Sequence, residues 1–192
     1  MVTIGVTGHQ TLAEVEKLEA GLDEVAHRLE VAFPEEWRVM SALAEGADRL
    51  VANRLMARKG TRLLAVLPMS RQEYETDFET GASKKEFGDL LDDADEVMEI
   101  PPQSHRDDAY EAGGSAVLEE SDVLVAVWDG QAAQGIGGTG GIVAEARKRK
   151  MPLAWIHAGN RKPGTIEPTT LGEEQGAVTF ESFPQLSGGS AK

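Results

Sequence analysis

Three short stretches of this chain hold residues whose types and spacing suit the binding of a small anion. They are Thr7-Gly8-His9-Gln10, residues 41–48 (SALAEGAD) and residues 129–141 (DGQAAQGIGGTGG). The third contains six glycines, five of them within Gly135-Ile136-Gly137-Gly138-Thr139-Gly140-Gly141. It lies between an apolar run and a helical pattern. There, consecutive backbone N–H groups form an anion nest, and the helix start adds partial positive charge. Thr139 is placed to donate its hydroxyl to a phosphate oxygen. The plainer reading of the same residues is a flexible loop with a Thr helix cap. No Gly-Lys-Ser/Thr follows, so the loop is not a Walker loop. It also does not follow the first strand, as the dinucleotide fingerprint must.

Gly8 has two readings. Glycine permits close approach of a phosphate to backbone N–H groups, and it equally serves a plain tight turn. His9 shares that loop. Asp129-Gly130 ends an apolar run, where a carboxylate is suited either to a ribose hydroxyl or to an Asx turn. Glu45, beside Gly46 at a helix start, carries the same two readings. Of the other histidines, His27 reads as solvated, His105 is isolated, and His157 reads as hydrogen-bonded at a strand end. No pair has metal-ligand spacing, so neither a metal nor a cofactor is expected.

The elements that position these loops alternate regularly. Residues 2–7 (VTIGVT), 37–43, 62–67, 96–100, 122–128 (DVLVAVW) and 152–157 read as strands, with 178–183 as an edge strand. Between them, helical spacing begins at Thr11, with Glu14 completing a capping box. Further helices are expected over 45–58, from Ser70, over 83–91, over 106–119 and over 142–150. Lys84-Lys85 and residues 147–150 read as solvated helix surface. This pattern predicts a Rossmann-like α/β fold: a doubly wound, mostly parallel sheet with helices on both faces. In such a sheet the three loops emerge on one edge and cluster. Residues 1–186 are expected to form one domain, with 187–192 a disordered tail.

Composition narrows the partners. The chain has 192 residues, a formal net charge of −14 and no cysteine. Its charge disfavours nucleic-acid binding, which needs Lys and Arg to neutralise phosphates. The N-terminal apolar run is too short for a signal peptide, and no segment reaches the length of a membrane span. A cytoplasmic protein binding a nucleotide-like small molecule is expected, with homo-oligomerisation open.

The loop set resembles the SLOG superfamily, which includes Lonely Guy phosphoribohydrolases, DprA proteins and sensor domains. The resemblance rests on Val6-Thr7-Gly8-His9, residues 41–48, and Val127-Trp128-Asp129-Gly130 through Gly137-Gly138-Thr139, in that order. Leu67-Pro68-Met69 with Tyr74 and Asp77-Phe78 is similar to the bacterial sensor-like branch. It implies that Gly8, His9, Gly46, Asp129, Gly130, Gly137, Gly138, Thr139 and Gly140 bind the ligand and its phosphate. Two departures stand out. Lonely Guy enzymes place Glu three residues after the Thr, whereas here that position is Ile142 and the first carboxylate is Glu145. One further helical turn, about 4.5 Å, moves Glu145 too far from a ligand at the helix start. Gln10 also stands where sensor-like members show Arg. The expected function is therefore binding or sensing of a nucleotide-derived phosphorylated molecule. An N-glycosidic hydrolase or transferase using Asp129, Glu45 or Asp77 is the alternative, and a structural protein with a vestigial pocket is a third.

Overall fold

The structure is a computed structural model that describes residues 1–132 and 138–185. Gly137 and the expected tail at 187–192 lie outside the described residues. Seven strands form one sheet: β1 (Val2–Gly8), β2 (Trp37–Ser41), β3 (Arg62–Leu67), β4 (Glu96–Glu99), β5 (Val123–Trp128), β6 (Leu153–His157) and β7 (Val178–Glu181). Their spatial order is β4-β3-β2-β1-β5-β6-β7. Every neighbouring pair is parallel except β6 with β7, which is antiparallel. The chain winds outward from β1 to β4, then returns to place β5 beside β1. That reversal is the switch point of a doubly wound, Rossmann-like sheet, where the exit loops diverge and leave a crevice.

The helices are α1 (Val15–Ala32), α2 (Ala47–Met56), α3 (Arg71–Tyr74), α4 (Gly81–Asp92), α5 (Arg106–Glu119) and α6 (Thr139–Lys148). Strand β5 is buried along its whole length, so both of its faces must be apolar. Val123, Val125 and Val127 join a core with Leu18 and Leu22 of α1 and Val51 and Leu55 of α2. Leu124, Ala126 and Trp128 alternate to the other face and pack on Leu118 of α5 and Val143 of α6. Edge strand β4 is exposed throughout, which fits its weaker apolar pattern. Among the described residues, no helix is long and apolar enough to cross a membrane.

Two expected helix starts are corrected. Helix α6 begins at Thr139 rather than Ile142. Helix α1 begins at Val15, not Thr11, and no side chain caps it. Glu14 adopts a left-handed conformation, φ 48°. Its carboxylate pairs with Lys17 at 2.7 Å and accepts the Thr170 hydroxyl. A neighbour in α1 and a tertiary partner thus take the group that the capping box required. Residues 9–14 become an exit loop instead of a helical turn.

Candidate functional site

The exit loops of β1, β2, β5 and β6 and residues of α2, α3, α5 and α6 border an open cavity of about 750 Å³ over the β1/β5 switch point. Such a volume suits a nucleotide-sized molecule. Residues 8–11 after β1, Asp48 at the start of α2, Asp129 after β5 and Gly138, Thr139 and Gly140 at the start of α6 all border it. The clustering expected from the parallel sheet is present. Asn160 and Arg161, from the loop after β6, also border the cavity.

His9 ties the switch point together. Its backbone N–H donates to Val127 at 3.0 Å, and its carbonyl accepts the Ala47 N–H at 3.0 Å. Its ring Nε2 accepts the Asp129 backbone N–H at 3.1 Å. That acceptor role assigns the proton to Nδ1 of a neutral imidazole. Burial holds its pKa below the ordinary histidine value, while the Asp129 carboxylate, 3.3 Å from Nε2, opposes the shift. Asp129 Oδ1 also accepts the Gln131 N–H at 3.0 Å, which is the Asx turn. Gly130 completes that turn at φ 80° and does not border the cavity.

The two other loop glycines are explained by the chain's own packing. A Cβ on Gly8 would meet Ala47 Cβ at 2.4 Å and the Val127 carbonyl oxygen at 2.7 Å. Gly46 has φ 80°, and a Cβ there would meet the Gln10 carbonyl oxygen at 2.3 Å. Gly8 borders the cavity, whereas Gly46 does not.

Gly138 caps α6 with an extended backbone, and its carbonyl accepts the N–H groups of Gly141 and Ile142. The N–H groups of Thr139 and Gly140 belong to the first turn and have no carbonyl within the helix. They stand at the cavity wall with the positive end of the helix dipole. Ile142, where the resemblance expects Glu, borders the cavity. Glu145 pairs instead with Lys148 and Arg149, at 3.0 and 3.1 Å.

The three carboxylates named from sequence have separate fates. Asp129 borders the cavity. Glu45 accepts the Ser83 hydroxyl of α4 and does not border the cavity. Asp77 is held by Arg106 and by the hydroxyl of Tyr110, and it too lies outside the cavity lining. It is Tyr110 that reaches the wall. Burial, then the hydrogen bond to Asp77, push the Tyr110 phenol up to about 12.

The sequence reading passed over Asp48. This carboxylate is 6 % exposed and borders the cavity. Burial pushes its pKa up to about 7, against hydrogen bonds from the Ala44 and Ala42 backbone and the Ser41 hydroxyl. The loop folds around it because Leu43 takes a left-handed turn, φ 55°, with its N–H on Ser41 Oγ at 3.1 Å. Arg49 braces the loop from below. It donates to the Leu43 carbonyl at 3.0 Å and to Ser83 Oγ at 2.8 Å, and stacks 4.4 Å over Phe78.

The loop after β6 carries no periodicity, so Asn160 and Arg161 drew no attention. A usable signal was present: β6 is parallel to β5, so its exit loop reaches the same edge. Buried Gln175 fixes that loop. Its Oε1 accepts the N–H groups of Gly159 and Leu171 at 2.9 and 3.1 Å, and its Nε2 donates to the Ala13 carbonyl at 2.8 Å.

No protein-family model matches the chain. No curated protein matches it either. Solved structures with a similar course of chain include TM1055, a structural-genomics target, at 16 % identity and a TM-score of 0.47, covering 80 % of this chain and 72 % of that one. Another is the Moco carrier protein of Chlamydomonas rheinhardtii, at 19 % identity and a TM-score of 0.40, covering 79 % of this chain and 73 % of that one.

Proposed function

We propose that this protein binds a nucleotide or nucleotide-derived phosphorylated molecule in the switch-point cavity, as a sensor-like member of the SLOG superfamily in the cytoplasm. One observation carries the reading. The first turn of α6, with Gly138, Thr139 and Gly140, opens into the same 750 Å³ cavity that Arg161 borders. The Thr139 and Gly140 N–H groups, which have no partner among the described residues, the α6 dipole and Arg161 therefore border one space where an anion would sit. No ion pair among the described residues holds Arg161. Against the chain's overall net charge of −14, this local positive site favours close-range binding of a small anion over a nucleic-acid backbone. Ordered polar groups around the cavity speak against a vestigial pocket.

A thermal-shift screen against nucleotides, nucleotide sugars and inorganic phosphate tests the reading. A ligand at 100 times its Kd stabilises the fold by about 2.7 kcal/mol. No stabilisation by any phosphorylated compound would defeat the proposal.

One observation favours cleavage of an N-glycosidic bond as a second reading. Asp48 is a buried cavity carboxylate whose pKa, about 7, is suited to general acid or base work near neutrality. Chromatography of the same incubations for released base separates the two. Base release that disappears in Asp48→Asn would establish the enzyme, and binding without release supports the sensor.

A further inference from the structure

One end of the cavity holds hydrogen-bonding groups that the anion site does not use. Tyr74 is 3 % exposed, and its ring is fixed edge-on against Phe78 and Phe87, with centroids at 5.2 and 5.6 Å. It nevertheless borders the cavity. Burial, then the charge of Asp48, keeps its phenol protonated, and no hydrogen bond among the described residues acts on that hydroxyl. The hydroxyl is not sealed from the cavity, so water or a ligand there supplies its partner.

Tyr110 stands beside it, with ring centroids 6.5 Å apart, and borders the same space. Its hydroxyl proton is directed to Asp77, and it accepts from Arg106 Nε at 2.9 Å. One lone pair remains, so Tyr110 offers the cavity an acceptor only. The Asp48 carboxylate completes the group. These residues come from α3, α5 and α2, so the fold brings them together from three separate elements.

Position along the sheet edge sets this end apart from the anion site. Tyr74 follows β3 and Arg161 follows β6, so the two border the cavity from opposite sides of the β1/β5 switch point.

We propose that Tyr74, Tyr110 and Asp48 form a subsite for the hydroxyl-bearing part of the ligand, a pentose or comparable polyol, with Tyr74 Oη as its central contact. This rests on the anion-binding reading above and names the other half of the ligand. A sugar hydroxyl both donates and accepts at one atom. It satisfies the free Tyr74 hydroxyl and the remaining lone pair of Tyr110 together. An apolar group would leave both unpaired.

Titration calorimetry with inorganic phosphate, ribose 5-phosphate and AMP, on the wild type and Tyr74→Phe, tests it. Tyr74→Phe removes one oxygen and keeps the ring packing, and circular dichroism verifies the fold. The wild type is expected to bind ribose 5-phosphate more tightly than phosphate. Tyr74→Phe is expected to weaken ribose 5-phosphate and AMP alike by about three- to tenfold and leave phosphate unchanged. Wild-type binding of phosphate with no gain from ribose overturns the subsite and leaves the anion reading standing. Loss for AMP alone places the base there and overturns the proposal. Failure of all three probes to bind the wild type overturns both readings.

Discussion

His9 Nε2 accepts the backbone N–H of Asp129 across the switch point at 3.1 Å, so one imidazole joins the exit loops of β1 and β5. The bond requires a neutral ring with Nε2 unprotonated. Burial already favours that state by lowering the His9 pKa below 6.5. A proton on Nε2 would break the bond to the N–H and turn the ring toward Asp129 Oδ1.

The pH dependence follows from the sign of that shift. A histidine depressed in the folded state binds its proton more readily when unfolded. The stability it contributes is present above the ordinary value of 6.5 and is lost as pH falls through the lower folded value. Urea denaturation of wild type and His9→Gln between about pH 5 and 7.5 checks this. The advantage of the wild type is expected to shrink as pH falls. A pH-independent difference would contradict a buried neutral imidazole.

Asp48 has the opposite sign. Its folded pKa is raised from 3.8 to about 7. The unfolded carboxyl therefore releases its proton first, and the contribution of Asp48 to stability declines as pH rises from about 4 to 7. Carbon-detected NMR titration of the Asp48 carboxyl is expected to show its midpoint near neutrality. A midpoint below 4 would mean that the Ser41, Ala42 and Ala44 hydrogen bonds outweigh burial.

Two glycines separate folding from binding. Gly46→Ala places a Cβ 2.3 Å from the Gln10 carbonyl oxygen at φ 80°. Chemical denaturation is expected to show a loss of about 2–4 kcal/mol. Gly138 has φ −76° and ψ 158°, a conformation open to any residue, and it is solvent-exposed. Gly138→Leu is expected to leave stability within about 0.5 kcal/mol and to abolish phosphate binding. Unchanged affinity in that variant would remove the loop from the site.

Arg161→Ala is expected to weaken phosphate binding by about tenfold, with a shallower salt dependence, while the melting temperature holds. Gln175→Ala is expected to do both kinds of damage. It leaves the Gly159 and Leu171 N–H groups without their acceptor, at a cost of about 2–3 kcal/mol. It also loosens the loop that carries Arg161, so affinity falls with stability.

The inner strands were readable because they are buried on both faces. Continuous apolar runs such as those within residues 62–67 and 123–128 read as strands covered on both faces. The start of α1 was not readable, because Glu14 is claimed by Lys17 and by Thr170, a residue 156 positions away. The glycine-rich loop and Asp129 stood out by type and spacing. Asp48 did not, since an Asp in the first turn of a helix is also an ordinary dipole partner. Its burial depends on the left-handed turn at Leu43, which no local rule assigns to leucine. Tyr74 and Tyr110 are separated by 36 residues and meet only through the packing of α3 against α5. Gln175 and Arg161 lie where periodicity stops, and long-range hydrogen bonds fix their places.

The antiparallel pairing of β7 has a practical consequence for all of these measurements. Val2 opens β1 at the amino edge of the sheet, and Glu181 closes β7 opposite Leu153 at that same edge. The cavity lies at the other edge, a strand length of roughly 20 Å away. An affinity tag or sensor-chip anchor near either site thus faces away from the mouth. Immobilised protein presents its cavity to the solution, and a fluorophore at one anchor paired with a labelled candidate ligand forms a ready distance gauge for uptake.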